Sequence, residues 1–179
     1  MEPKIIIKET SKEDLLNIMS LWNNGEVMSF VGYPHGLGIT LPKLMDWLPW
    51  AVSKPYRCHY SIYHEELGFC GEAFYHVDSI YELAALDIKL LPEAQGKGIA
   101  EFALRFAIEQ AFLQGYAKRV YVDPHPDNLS AWNLYRKLGF TSKTRPAHLE
   151  QRDTYLDISK EDWENSRSND GTKISLHSS

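Results

Sequence analysis

The sequence has two cysteines among 179 residues, Cys58 and Cys70, with no C-x-x-C pair and no disulfide framework. They read as small buried hydrophobes on two neighbouring strands. No apolar run approaches the roughly 18 residues that a membrane helix needs. The start, Met1 to Lys8, holds an apolar stretch too short for a secretion signal, so a cytoplasmic protein is expected. There is no cationic excess either. Lys plus Arg is 19 against 24 for Asp plus Glu, a net charge of -5. Nucleic acid is therefore not an expected partner, whereas a cationic one is compatible. The seven histidines show no H-E-x-x-H and no paired spacing, so no metal is expected. Neither disorder nor low complexity dominates: 44% of residues are hydrophobic and 24% charged, which suits one domain.

Lys4 to Lys8 reads as a strand. Ser11-x-x-Asp14 is a capping-box-like helix start, followed by the stripe Leu15, Leu16, Ile18, Met19 and Trp22. Asn23-Asn24-Gly25 stops that helix. Glu26 to Thr40 reads as a structured loop with room for a short helix, and Leu41 to Ala51 as a second helix with Pro42 in its first turn. Cys58 to Tyr63 and Gly68 to Val77 form a hairpin, and Tyr81 to Leu91 a further strand. A glycine-rich turn then opens a helix whose stripe is Phe102, Ala103, Phe106, Ala107, Ala111 and Phe112. Arg119 to Val122 is a strand, and Asn128 caps a helix over Leu129 to Leu138. Strands from Phe140 and over Arg152 to Ile158 complete the order β-α-α-β-β-β-α-β-α-β-β. Residues 1–165 form the expected domain, and the Ser/Asn/Gly-rich 166–179 a loose tail. A hairpin run feeding one β-α-β crossover makes the sheet mixed, an α/β fold.

The segment Pro92-Glu93-Ala94-Gln95-Gly96-Lys97-Gly98-Ile99-Ala100 joins a strand to a helix. Gly96 and Gly98 remove side chains where backbone would approach a ligand. The helix start offers free N–H groups and the positive end of its dipole, and Lys97 adds charge. This makes either an anion site or a plain strand-to-helix turn. It is neither a Walker loop, since Gly98 follows Lys97, nor a dinucleotide fingerprint, since Glu101 stands at the third glycine's place.

Gln95-x-x-Gly98-x-Ala100 resembles the pyrophosphate signature of the GNAT superfamily of acyl-CoA-dependent N-acetyltransferases. Asn128-x-x-Ala131-x-x-Leu134-Tyr135-x-x-Leu138-Gly139-Phe140 resembles that superfamily's downstream helix and strand. The likeness is good over Leu83 to Phe140 and loose over the first 80 residues. It implies a single-domain, twisted mixed sheet with flanking helices, whose two central parallel strands splay. Backbone of Ile88, Lys89 and Leu90 would then pair with the amide arm of acetyl-CoA. Gln95, Gly96, Lys97, Gly98, Ile99 and Ala100 would hold its pyrophosphate, with Asn128 as a further contact and Lys137 either reaching the phosphates or, the more ordinary reading, a solvated helix lysine. Asp123-Pro124-x-Pro126-x-Asn128, with Asp87 eight residues before Gln95, resembles the aminoglycoside 6'-N-acetyltransferase and siderophore-acylating branch.

The resemblance implies a chemistry. A primary amine has a pKa near ~10 and arrives protonated. A carboxylate can bind the cation and accept its proton, directly or through water. Asp87 is the leading base; Asp123 is the second candidate, or an anchor for the cation. A backbone N–H near Leu90 would meet the developing oxyanion. Tyr135 matches the superfamily's tyrosine and is the natural acid for the departing thiolate. Neither cysteine lies near the motifs, so direct transfer in a ternary complex is expected. Trp22, Glu26, Phe30, Tyr33 and His35, with Glu72 and Phe74 of the hairpin, are candidate walls of the acceptor site. Acidic and aromatic groups together suit a polyamine, an aminoglycoside or another amine, although each aromatic alone reads more readily as core. The expected protein is a monomer or homodimer acting on a small amine. Action on protein N-termini or side chains and a non-catalytic acyl-CoA-binding module are the alternatives.

Overall fold

The computed structural model describes residues 4–170. The chain opens with β1 (Ile5–Glu9), α1 (Leu15–Trp22), the short α2 (Gly25–Met28) and α3 (Leu41–Ala51). It continues with β2 (Arg57–His64), β3 (Gly68–Asp78) and β4 (Leu83–Leu90). α4 (Ile99–Leu113), β5 (Arg119–Val122) and α5 (Leu129–Lys137) follow. β6 (Thr141–Ser142), β7 (Leu156–Ser159) and α6 (Lys160–Asp170) end it.

The seven strands form one sheet in the order β1-β2-β3-β4-β5-β7-β6. Only the β4–β5 pair is parallel, joined by the crossover through α4, so the sheet is mixed as expected. Strand alternation sends Glu72, Phe74, Asp87 and Lys89 to one face, and Ala73, Tyr75, Leu86, Ile88 and Leu90 to the other. α4 packs on the second face. The face α4 buries is Ile99, Ala103, Leu104, Ala107, Ile108 and Ala111; Phe102, placed in the stripe from sequence, is 42% exposed. The first face lies against α1 and α3, where Leu15, Ile18, Leu44 and Leu48 make a smaller cluster of their own. The Ser11 start is confirmed: its N–H donates to Asp14 Oδ2 at 2.8 Å before a short 3-10 turn leads into α1.

Three boundaries differ from the sequence reading. Tyr81 and Glu82 belong to the turn before β4, where Glu82 takes a left-handed φ of 51°. The last strand starts at Leu156 rather than Arg152, because Arg145 ties the segment before it into a loop. The stretch from 166, read as tail, begins as helix, since α6 runs through Asp170; positions 171–179 lie outside the described residues. Cys58 and Cys70 are free, fully buried and on the adjacent strands β2 and β3. Among the described residues no helix is long and apolar enough to cross a membrane.

Candidate functional site

β4 and β5 pair only over Leu83–Arg119, Ala84–Val120 and Ala85–Tyr121. Beyond that β4 runs on to Leu90 while β5 pairs with β7, which is the splay that the resemblance implied. Leu91 N–H donates to Cys70 O of β3 at 2.8 Å. Strand alternation therefore turns the N–H groups of Ile88 and Leu90 to the side that β5 has left. A buried strand seldom leaves such groups without partners.

A cleft of about 1280 Å³ opens there. Asp87, Lys89, Phe74 and Leu90 line it from the sheet, and Gln95, Gly96 and Ala100 from the glycine turn. Asn128, Ala131 and Tyr135 line it from α5, and Trp22, Glu26, Phe30 and Tyr33 from the N-terminal elements. The structure thus brings together residues more than 100 positions apart. The other predicted wall, His35, is exposed and is not among the lining residues.

At the turn, Gly96 and Gly98 take left-handed φ of 71° and 77°, and a Cβ on either meets nothing within 4 Å. The first helical bond of α4 runs from Phe102 N–H to Gly98 O at 3.2 Å. The N–H groups of Ile99, Ala100 and Glu101 consequently have no partner within the helix. Open space, three free donors and a positive dipole end fit a pyrophosphate. Ile99 contributes backbone only, since its side chain is core at 1% exposure. Lys97 is exposed and outside the lining. Lys137 is mostly exposed, and its Nζ lies 2.6 Å from Glu101 Oε2 in the first turn of α4. Asn128 is the N-cap of α5, accepting from Ala131 N–H at 3.2 Å.

The carboxylates divide into distinct environments. Asp87 is half exposed and ion-paired with Lys89. Asp123 is not free to anchor a cation as the sequence suggested. Arg145 Nη1 lies 3.3 Å from its Oδ2 and Arg152 Nε 3.6 Å away. Burial pushes the Asp123 carboxyl above its usual value, and the two arginines only partly offset this. Arg145 also donates to Glu150 O at 2.6 Å and Thr154 O at 3.1 Å, which folds Gln151 to Thr154 over the cleft.

Glu72 is not an open wall residue. It is buried at 2% exposure beneath Lys89. Its Oε2 accepts from Trp22 Nε1 at 2.8 Å and bonds His59 Nε2 at 2.9 Å; its Oε1 lies 3.4 Å from Lys89 Nζ. Burial opposes ionisation of Glu72, but the His59 and Lys89 charges and these hydrogen bonds prevail, bringing it down to about 2. His59, which no sequence signal singled out, bonds Thr10 Oγ1 through Nδ1 at 2.7 Å. Tyr135 is 7% exposed, and burial together with the Asp87 and Asp123 charges keeps its phenol protonated well above the usual 10.0. Its hydroxyl makes no hydrogen bond to another described residue, leaving a donor facing the cleft. Burial pushes the Cys58 thiol up to about 11 and raises that of Cys70, so neither offers a thiolate. Among the described residues no group of three His, Cys, Asp or Glu is placed to hold a metal ion.

Residues 4–141 match the protein family described as Acetyltransferase (GNAT) domain. The spermidine N(1)-acetyltransferase of Escherichia coli (strain K12) is 27% identical over 143 residues, which are 79% of this chain and 75% of that protein. The spermidine N-acetyltransferase from Vibrio cholerae, solved in complex with CoA and spermine, shares the fold with a TM-score of 0.75. It is 19% identical, over 90% of this chain and 98% of that one. An acetyltransferase of the GNAT family from Streptococcus pneumoniae gives a TM-score of 0.71 at 19% identity, over 87% and 99% of the two chains.

Proposed function

The chain belongs to the acetyltransferase (GNAT) domain family, and from that premise we propose that it moves an acetyl group from acetyl-CoA to a primary amine of a small polyamine. The observation that carries this reading is one cleft holding the freed β4 edge, Asp87 and Tyr135 together. Its charge supports a cationic acceptor. The lining carboxylates are Glu26, Asp87, Asp123 and Asp153, against the cations Lys89 and Arg152. Both cations are already engaged, with Asp87 and Asp123 respectively, and among the described residues Glu26 and Asp153 have no ion-pair partner. A molecule bearing two or more ammonium groups matches that pattern better than a neutral one. The spermidine acetyltransferases among the relatives point to the same acceptor class.

Acetyl-CoA supplies the activated acyl carbon. The chain's residues do the rest. Asp87 binds the acceptor's ammonium and takes a proton from it, directly or through water. The N–H of Leu90 lies on the open edge, where it meets negative charge growing on the acyl oxygen. Tyr135 holds a proton for the sulfur that leaves. With both thiols buried and protonated, the acetyl group passes directly to the amine, without a cysteine-bound stage. Ile88 and Leu90 backbone, Gly96, Gly98 and the α4 start hold the donor.

The test is thiol release from acetyl-CoA by purified protein, against spermidine, spermine, aminoglycosides, hydroxylysine and short peptides. Polyamine-dependent release is expected. The Asp123-Pro124-x-Pro126-x-Asn128 likeness places aminoglycosides in the panel, and release with them alone would replace the polyamine reading. Release only with peptides would make this a protein-directed enzyme, and donor binding with no release from any amine would make it a non-catalytic module.

A further inference from the structure

Lys89 is an unusual residue to find at the floor of a cleft that takes cations. Its side chain is 13% exposed, and its ammonium lies between two carboxylates: it pairs with Asp87 and sits 3.4 Å from Glu72 Oε1. An acceptor ammonium approaching Asp87 meets a cation already there. The register explains the arrangement. Lys89 stands opposite Glu72 across the β3–β4 ladder, and Asp87 opposite Phe74, so all four project on one face. Glu72 cannot be left alone. It is buried, and an uncompensated buried carboxylate is strongly destabilising. Its other partners are the neutral indole of Trp22 and the ring of His59, which is itself fixed by Thr10.

We propose that Lys89 is a charge-balancing positioning residue that releases Asp87 to the incoming acceptor ammonium and is retained by Glu72 beneath it. This deepens the polyamine reading and rests on it. No bond forms or breaks; one ammonium replaces another at Asp87. Lys89 cancels one of the two carboxylate charges of Asp87 and Glu72, and His59 lies behind Glu72 on the side away from the acceptor, so losing Lys89 makes the acceptor's side of the cluster more negative by one charge. The other groups facing this point are His59 of β2 behind Glu72, Asp123 after β5, Tyr135 of α5 and Glu26 of α2. Asp123 is held by its two arginines and Tyr135 remains a neutral phenol, while His59 and Glu26 are the same in the parent and in every variant below, so the difference between them is the charge at Lys89 and Glu72 alone.

The balance makes predictions of opposite sign. Lys89→Met leaves two carboxylates facing the acceptor. The ammonium binds more tightly but gives up its proton less readily. KM for spermidine falls several-fold, kcat falls, and the acidic limb of the kcat/KM profile moves up by about one pH unit, the smaller end of what one nearby charge does. Glu72→Gln commits Lys89 to Asp87, so KM rises and the limb moves down. The double variant Glu72→Gln/Lys89→Met restores the charge sum and returns the limb toward the parent, which also guards against mistaking a folding defect for the effect. Lys89→Arg keeps the parent profile. The experiment is steady-state thiol release with spermidine from pH 6 to 10 on the parent and these four variants, beside calorimetric binding of acetyl-CoA, which stays unchanged. Opposed shifts that cancel in the double variant support the proposal. Parent turnover with single-variant profiles that do not move overturns it and leaves the polyamine reading standing. A parent with no polyamine turnover overturns both.

Discussion

Trp22 Nε1 donates to Glu72 Oε2 at 2.8 Å, fastening α1 to the middle of the sheet at the same carboxylate that takes His59 and Lys89. That carboxylate carries a pH signature. The unfolded chain protonates Glu72 near 4.5, whereas the folded chain keeps it ionised down to about 2. The folded form therefore binds fewer protons across this window. The resulting stability is fully present above about pH 4.5 and is lost as pH falls toward 2. Urea midpoints measured from pH 2.5 to 6 will fall more steeply for the parent than for Glu72→Gln. Parallel curves would remove Glu72 from the acid response.

Asp87→Asn keeps the shape of the side chain and its place opposite Phe74, but cannot accept a proton. Turnover is expected to fall by about 10²–10⁴, the usual contribution of a positioned base. Affinity for acetyl-CoA, read by calorimetry, stays within about twofold, because the donor contacts lie along the β4 edge and the glycine turn. A variant as fast as the parent shows that the proton leaves by another route.

Tyr135→Phe removes the donor and keeps the ring, which packs against Phe140 at 5.6 Å. The expected loss grows with pH, because solvent acids become scarce while the parent phenol stays protonated above its ordinary 10.0. Equal ratios of the two rates at pH 7 and pH 9.5 would leave Tyr135 a packing residue.

Gly98→Ala tests the pyrophosphate turn. At φ 77° an alanine costs about 1–2 kcal/mol of backbone strain. Its methyl meets no protein atom, so any loss beyond that strain arises from the ligand's side. Acetyl-CoA affinity is expected to weaken about tenfold, whereas Gly68→Ala, equally left-handed at φ 73° with open space around it and outside the cleft, leaves donor affinity as it was. Equal donor affinity in the two variants would move the pyrophosphate elsewhere.

Much of this site was legible in local sequence. The glycine turn, the α4 start and the α5 cap are each set within about a dozen residues, and propensity and capping chemistry act on that scale. That Asp87 and Tyr135 line one cleft was foreshadowed by two motifs whose spacing a family resemblance supplies. What stayed hidden was partnership across the fold. Asp123 looked available because Arg145 and Arg152 lie more than 20 positions later, in a segment with no periodicity to announce where it goes. Glu72 looked like a wall because β3 is buried on both faces, so alternation there does not separate inside from outside. His59 reads as one more strand residue until Glu72 and Thr10 are seen on either side of it.

The parting of β4 from β5 gives the strand two unlike kinds of backbone amide. Those of Asp87, Lys89 and Leu91 point toward β3, while those of Ile88 and Leu90 point into the gap. Hydrogen–deuterium exchange resolved by NMR should read this as a tooth-like pattern, slow and fast by turns along five consecutive positions. Saturating acetyl-CoA should flatten the pattern by slowing the fast members alone, so that one strand reports, amide by amide, how far the donor's arm reaches.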